Sequence, residues 1–319
     1  MKEKWKTHNA TIGLFIATLA WGASFFLVKK ATSQIGVWPF IFWRFGFASL
    51  VMVLIFPMKI LRAKWHTMRR GLCVGSLLFL TILTQTFGLQ MTTAGKAGFI
   101  TSLYVPLVPI LGWVFSKLSG NSDESKITYR HFLVAFISVF GLYILTDSHG
   151  HSHNVREWWS DVNPGDLWTF AAATFAAIHI LYTEKITQKE SDSIALGIWQ
   201  FLGCFFFVAA AVVFVQSSPG PFVPLLWNPF SWPRFALGSV IFNAIFSTCF
   251  GFIMQIICQK YLGALKAALI FALEAPLATG FAFLFMNEIL TPKEFIGAAI
   301  VFLVSIVPDR WLKETNGSL

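Results

Sequence analysis

The residues from Gln85 to Leu107 recur, shifted by 170 positions, between Gln255 and Leu277. Eight of the 23 aligned positions are identical: Gln85/Gln255, Ala94/Ala264, Lys96/Lys266, Ala97/Ala267, Ile100/Ile270, Leu103/Leu273, Pro106/Pro276 and Leu107/Leu277. Apolar helices share Ala and Leu by composition alone, but a Gln, a Lys and a Pro in the same register point to a duplicated helical unit. In a membrane, two such halves meet at a midplane site that one half can open and the other close, which is the physical basis of alternating access.

Composition places the chain in lipid. Of 319 residues 56% are apolar and 12% charged, against about 25% charged in an ordinary soluble domain, and mean hydropathy is +0.66. Roughly 20 apolar residues span a bilayer core. Ten such runs are present, at about 10–31, 37–57, 70–92, 96–116, 130–147, 165–186, 194–215, 233–260, 264–287 and 292–308. Membrane strands would alternate polar and apolar over about 10 residues, and these runs do not. The expected fold is an all-α integral membrane protein of ten transmembrane helices, arranged as an inverted 5+5 repeat. Its parts are a first five-helix repeat at 1–148, an outer loop at 149–164 and a second five-helix repeat at 165–319.

With the N-terminus inside, the cytoplasmic segments hold sixteen of the 24 basic residues, among them Lys2, Lys59, Arg69, Arg70, Lys189, Lys260 and Arg310. The outer loops hold Lys29, Lys30, Lys96, Arg156, Arg234 and Lys293. The positive-inside rule therefore places both termini in the cytoplasm. Five helices per half is an odd number, so the second half enters upside down. The net charge of +9 fits a basic inner face on anionic lipid and requires no nucleic-acid partner. Lys2, Lys4 and Lys6 precede an apolar stretch as in a secretory signal, but the run continues to Val28 and reads as an uncleaved first helix. Cys73, Cys204, Cys249 and Cys258 lie within spans, without a disulfide framework or metal spacing.

The first helix reads Gly13-Leu14 through Ala20-Trp21-Gly22-Ala23-Ser24-Phe25-Phe26 to Lys29-Lys30, and the second carries Trp43-Arg44-Phe45. Pro106 follows, then Glu274-Ala275-Pro276, Asn287-Glu288 and a last helix containing Gly297. In this order the chain resembles the drug/metabolite transporter superfamily, in its ten-helix EamA-type branch. The resemblance implies a secondary transporter of the bacterial inner membrane that moves small organic metabolites such as amino acids, often outward, through a central cavity. This sequence departs from the family pattern at Leu118, which aligns with Glu288, and in about seven extra residues around Gly120 to Ser125. The seventh helix has Trp199-Gln200-Phe201 where the second has Trp43-Arg44-Phe45.

The residues themselves suit a cavity. Asn243, Ser247, Gly251, Gln255 and Gln259 recur every four positions along the eighth helix, and Thr81, Gln85, Gly88 and Thr92 form the matching stripe in the third. Such stripes need water, substrate or one another, because an unsatisfied amide in hydrocarbon is costly; plain helix–helix glue is the alternative. Glu274, about 15 Å along the ninth helix at 1.5 Å per residue, contacts a substrate amine, carries a proton or belongs to a structural ion pair. Arg44 binds a substrate carboxylate through its planar fork, snorkels outward, or is paired structurally. His179 titrates near neutrality or is satisfied by a neighbour. Trp21, Tyr104 and Trp199 lie deep beside motif positions, with Tyr104 at the place that Glu274 holds in the other half; aromatic contacts to substrate and ordinary packing both fit. Gln85 and Gln255 complete the candidate substrate-binding set.

Pro106 and Pro276 fall mid-helix and read as paired hinges, and Lys96 and Lys266, at the starts of the fourth and ninth helices, read as interfacial anchors or gates. Trp232 and Trp38 look like interfacial belt residues. His149, His151 and His153 read as a solvated outer loop, and no metal or cofactor site is expected. An integral-membrane enzyme would need clustered His or carboxylates on the spans, and none is present; a receptor or scaffold would leave the polar stripes unused. Without a phosphate-cradling loop, transport would depend on substrate gradients, exchange or protons. Solute, coupling and oligomeric state, monomer or homodimer, stay open.

Overall fold

The computed structural model describes residues 2–118, 129–146, 163–190, 192–216, 228–286 and 291–307. The His149/His151/His153 loop, the Gly120–Ser125 insertion, Asn287-Glu288 and Arg310 lie outside the described residues.

Every regular element among the described residues is helical. The main helices are α1 (Lys2–Ile35), α2 (Val37–Ile55), α3 (Trp65–Met91), α4 in two pieces (Ala94–Ser102 and Tyr104–Leu118), α5 (Tyr129–Thr146), α6 (Pro164–Thr187), α7 (Ser193–Gln216), α8 in three segments (Arg234–Phe242, Asn243–Phe250 and Gly251–Leu262), α9 in two pieces (Ala264–Phe271 and Glu274–Met286), and α10 (Pro292–Ser305). Seven of them, α1 to α4 and α7 to α9, are long and apolar enough to cross a membrane by length and composition. Within α5 and α10 the apolar stretches Tyr129–Ile144 and Phe295–Ser305 are shorter. Helix α6 is 24 residues long but carries Asp166, His179, Glu184 and Lys185, so composition alone does not place it among the seven. Phe136, Phe214, Leu54 and Leu284 stand exposed on the outside of the bundle, a surface that lipid accepts and water does not.

Local signals explain the boundaries. Asn163-Pro164-Gly165-Asp166 starts α6 with a capping box: the Asn163 side chain accepts from the Asp166 N–H at 3.1 Å, and the Asp166 carboxylate accepts from the Asn163 N–H at 3.0 Å. Single glycines join α1 to α2 and α8 to α9. Gly36 has φ 82° and Gly263 φ 79°, left-handed conformations that a side chain would strain. Helices α4 and α9 break at equivalent places, where Leu103 and Leu273 donate to carbonyls only three residues back, Ile100 and Ile270, each at 3.1 Å. The sequence had put Pro106 and Pro276 in mid-helix. The structure corrects this: each is the third residue of a restarted helix, where the missing N–H would have no helical partner anyway.

Helix α1 packs along α8 and α9, whereas α6 packs along α3 and α4. The opening helix of each sequence half thus lies mainly in the other half's bundle. Helix α7 flanks α3 and α2, and α5 pairs with α10. Helix directions follow from the end contacts. Lys6 lies over the Tyr261 ring and Lys260 donates to the Glu190 carbonyl at the N-terminal end of the bundle; Lys29 meets Thr92, and Lys96 meets Asp166, at the opposite end. Helix α1 therefore runs against α6, and α3 against α8. Trp232 is buried in the core and is not a belt residue.

Asp166 caps α6 and also anchors α4, accepting from Lys96 Nζ at 2.7 Å and from Thr92 Oγ1 at 3.0 Å. Asp166→Ala leaves the Asn163 cap but removes the acceptor for the Asn163 N–H, Lys96 and Thr92, and should cost about 1–3 kcal/mol, lowering the melting temperature of detergent-purified protein. Asp166→Asn keeps an acceptor at the cap and should lose clearly less; equal losses in the two variants would assign the effect to the charge.

Candidate functional site

Between the two bundles lies a cavity of about 90 Å³, room for several waters or one small solute. Trp21, Arg44, Gln85, Tyr104, His179, Gln255 and Glu274 all line it. The sequence repeat is visible in its walls: Gln85 faces the site from α3 and Gln255 from α8, while Tyr104 and Glu274 each open the second piece of a broken helix, α4 and α9. Trp199 does not line the cavity. It stands behind α3, so close that a Cβ on Gly71 would be 2.3 Å from its own Cβ.

Arg44 is 3% exposed, so its side chain does not snorkel. Its Nε donates to Thr248 Oγ1 at 2.9 Å and its Nη2 to Ser247 Oγ at 3.0 Å, and its guanidinium lies 5.5 Å from the Phe45 ring centre. Both hydroxyls belong to Asn243–Phe250, an eight-residue π-helical segment of α8. A π-turn takes more residues than the 3.6 of an α-helix, which brings the four-residue stripe Asn243, Ser247, Gly251 closer to one face. Trp21 Nε1 donates to the Ser247 carbonyl at 2.8 Å, and Ser24 donates to Asn243 Oδ1. Helix α1 thus grips the same segment that holds Arg44. No carboxylate lies within ion-pair distance of Arg44 among the described residues.

Glu274 is 7% exposed. Tyr104 Oη donates to its Oε1 at 3.4 Å, and no Lys, Arg or His reaches it among the described residues, so the ion-pair reading is not what the structure contains. Its carboxylate sits at the first residue of the helical piece Glu274–Met286, where the positive end of the helix dipole favours an anion. Gly22 lets α1 lie beside it; a Cβ there would stand 2.6 Å from Leu277 Cβ. Aromatic rings complete the wall, with Trp21 5.1 Å from Phe252 and 5.0 Å from Phe271, and His179 6.1 Å from Phe252. Gln255 donates to Gln259 Oε1 at 3.2 Å.

The two ends of the cavity are drawn together by side chains bonded to backbone. At the end opposite the N-terminus, Lys29 Nζ donates to the Thr92 carbonyl at 2.6 Å and Gln90 to the Thr32 carbonyl at 3.0 Å. At the N-terminal end, Gln259 donates to the Ile180 carbonyl at 2.6 Å and Glu184 accepts from the Ala264 N–H at 3.0 Å. Lys96 bonds within its own bundle, to Asp166 on α6. Lys266 donates to the Ser305 carbonyl at 2.8 Å and to the Val307 carbonyl, tying α9 to the end of α10. Sequence reasoning missed Thr101, Phe252 and Phe271 in the wall and Thr248 behind it. Phe271 and Thr101 are repeat equivalents, a signal that the shift of 170 residues contains.

The sequence profile of the EamA-like transporter family matches residues 9–147 and again residues 163–307. The chain is 29% identical over 303 residues to an uncharacterised transporter of Archaeoglobus fulgidus, covering 95% of this chain and 86% of that protein. It is 24% identical over 302 residues to the uncharacterised transporter YoaV of Bacillus subtilis, covering 91% and 93%. A solved crystal structure aligns with TM-score 0.69 at 16% identity over 96% of this chain and 99% of that one, a likeness of fold.

Thr248→Val keeps the shape of the π-segment and removes one of the two hydroxyls that hold the buried guanidinium. It should cost about 1–3 kcal/mol of stability, read as a lower melting temperature, and Thr248→Ser should restore most of it. No loss in Thr248→Val would mean that Arg44 is held by other groups.

Proposed function

Because the chain belongs to the EamA-like transporter family and is a multi-pass membrane transporter, we propose that it is a secondary carrier of small zwitterionic metabolites such as amino acids. The observation that carries this reading is a buried guanidinium and a buried carboxylate, Arg44 and Glu274, in the wall of one cavity, neither of them neutralised by an opposite charge among the described residues. Uncompensated charges are expensive in a dry interior. A solute that brings its own carboxylate and ammonium would offset both at once. In this reading the open edge of Arg44 takes the carboxylate and Glu274 the ammonium, with the amides of Gln85 and Gln255 beside them and Trp21 and Tyr104 as aromatic walls. Trp199 has no place in it.

The ten helices then form an inverted 5+5 repeat, supported by the opposed directions of α1 and α6 and of α3 and α8, and by the two separate stretches that match one family profile. The repeats correspond to 1–148 and 165–319. The bundle end that holds Lys59, Arg69, Arg70, Lys189 and Lys260 is the cytoplasmic one, in an inner membrane, and efflux is the direction of physiological use. Alternating access uses the breaks at Leu103 and Leu273 as hinges, with Pro106 and Pro276 fixing where each helix restarts. Lys96 and Lys266 act as anchors. Without a second energy source on the chain, flux follows the solute gradient or a proton carried by Glu274.

Glu274→Gln is nearly isosteric and strands no partner charge. It should leave the melting temperature of the free protein within a few degrees and abolish either the stabilisation by added amino acids, which follows mass action, or the pH dependence of flux in liposomes. A stable variant with unchanged flux and pH profile removes the proposed role. Pro106→Ala and Pro276→Ala should stay folded but transport several-fold more slowly, because a continuous helix resists bending; normal flux in both, at matched protein level, would show that the breaks do not move.

A further inference from the structure

Arg44 and Gln200 hold equivalent places in Trp43-Arg44-Phe45 and Trp199-Gln200-Phe201. Arg44 reaches the cavity and is met by Ser247 and Thr248. The repeat shift of 170 residues puts Leu77 and Leu78 at the places equivalent to those hydroxyls, so Gln200 finds no such partners. It is fully buried and its amide lies close enough to the His179 imidazole to interact with it, yet neither its amide nitrogen nor its amide oxygen makes a hydrogen bond of full geometry. His179 Nε2 and, one turn further along α6, Thr183 Oγ1 are also buried without a partner. Interiors rarely leave four such atoms unpaired in one neighbourhood, because each forfeits its hydration for nothing. His179 also lines the main cavity, together with Ala176 and Ile180.

We propose that Gln200, His179 and Thr183 form a second polar subsite, opening off the cavity at His179, that takes a neutral hydrogen-bonding group. The group is a carboxamide or hydroxyl on the solute's side chain, or water in its place. An amide, an imidazole and a hydroxyl together offer donors and acceptors without a formal charge. A charged side chain would shed its hydration there without a counter-ion, and an apolar one would leave the three residues unpaired. A site built to hydrogen-bond its ligand rejects the analogue lacking that group far better than a greasy pocket rejects an extra polar atom. The inference rests on the zwitterion reading, with Arg44 and Glu274 holding the solute's charged ends and the subsite reading its side chain.

The test compares asparagine with leucine, similar in size and shape, by binding-induced shifts in melting temperature of the wild-type protein and of Gln200→Leu. Wild type should bind asparagine at least about tenfold more tightly than leucine, and Gln200→Leu should bring the ratio close to one. Thr183→Val, a smaller change, should reduce the ratio in the same direction and serves if Gln200→Leu does not fold. An unchanged preference with a lower melting temperature in Gln200→Leu identifies water as the occupant of the subsite. An unchanged preference with an equal or higher melting temperature means the unpaired atoms are packing defects, and overturns the subsite; so does a wild type that prefers leucine. If no amino acid binds the wild type, the zwitterion reading fails, and the subsite is judged on uncharged butyramide: its stabilising shift must be present in wild type and lost in Gln200→Leu.

Discussion

A guanidinium inside a membrane protein cannot be left to water, and the way Arg44 is accommodated organises much of this structure. Its two hydroxyl partners come from one widened segment of α8, and the same segment is gripped from the other side by Trp21 and Ser24 of α1. Helices α1, α2 and α8 are therefore joined at one level of the bundle by polar bonds as well as by apolar contact. Two hydroxyls take two of its five N–H donors without supplying charge. The cost of the buried cation is only partly offset, which on the reading proposed above is what suits it to an anionic group of the solute.

The packing assigns α1 to the bundle of α8 and α9 and α6 to that of α3 and α4. A division at the middle of the sequence is therefore not a division between bodies in space. At the two ends of the cavity, side chains bonded to backbone bridge α1 to α3 and α6 to α8 and α9: Lys29, Gln90 and Glu184 meet groups in the first or last turn or the cap of a helix, and Gln259 meets the Ile180 carbonyl inside α6. Lys29 lies on the carbonyl of Thr92, which ends α3, and Glu184 on the N–H of Ala264, which begins α9. Cations suit helix C-termini and anions suit N-termini, so the two closures use opposite charges for the same electrostatic reason.

Much of this was legible in the sequence because lipid is a demanding solvent. The apolar runs locate the helices to within a few residues, as 233–260 against the observed Arg234–Leu262, since a span must be continuous to satisfy its own backbone. The repeat made Gln85, Gln255, Tyr104 and Glu274 stand out, and all four face one cavity. The breaks at Leu103 and Leu273 were misread as prolines bending a continuous helix, because Pro marks a neighbourhood more clearly than a position. The π-segment was missed altogether, although a polar stripe of period four is a poor fit to an α-helix. Trp199 was placed with the site by analogy to its motif. Its neighbour Gln200 is the residue that lies against His179, itself in the cavity wall, and one residue of rotation on a helix, about 100° at 3.6 residues per turn, separates the two positions.

Divergence between the halves also bears on what the cavity can hold. A duplicated chain with identical halves would present like charges from both sides, and like charges in a dry cavity repel. Here the equivalents differ: Arg44 stands opposite Gln200, and Glu274 opposite Tyr104. Each half keeps one charged and one neutral member of the pairs, so the wall carries one cation from α2 and one anion from α9. An amino-acid zwitterion has the same division between its ends. On the reading proposed above, the loss of symmetry between the repeats is what fits the site to an asymmetric solute, while the backbone that both repeats share, a broken helix bearing the Tyr104 or Glu274 side chain at its restart, keeps the two ends of the cavity mechanically alike.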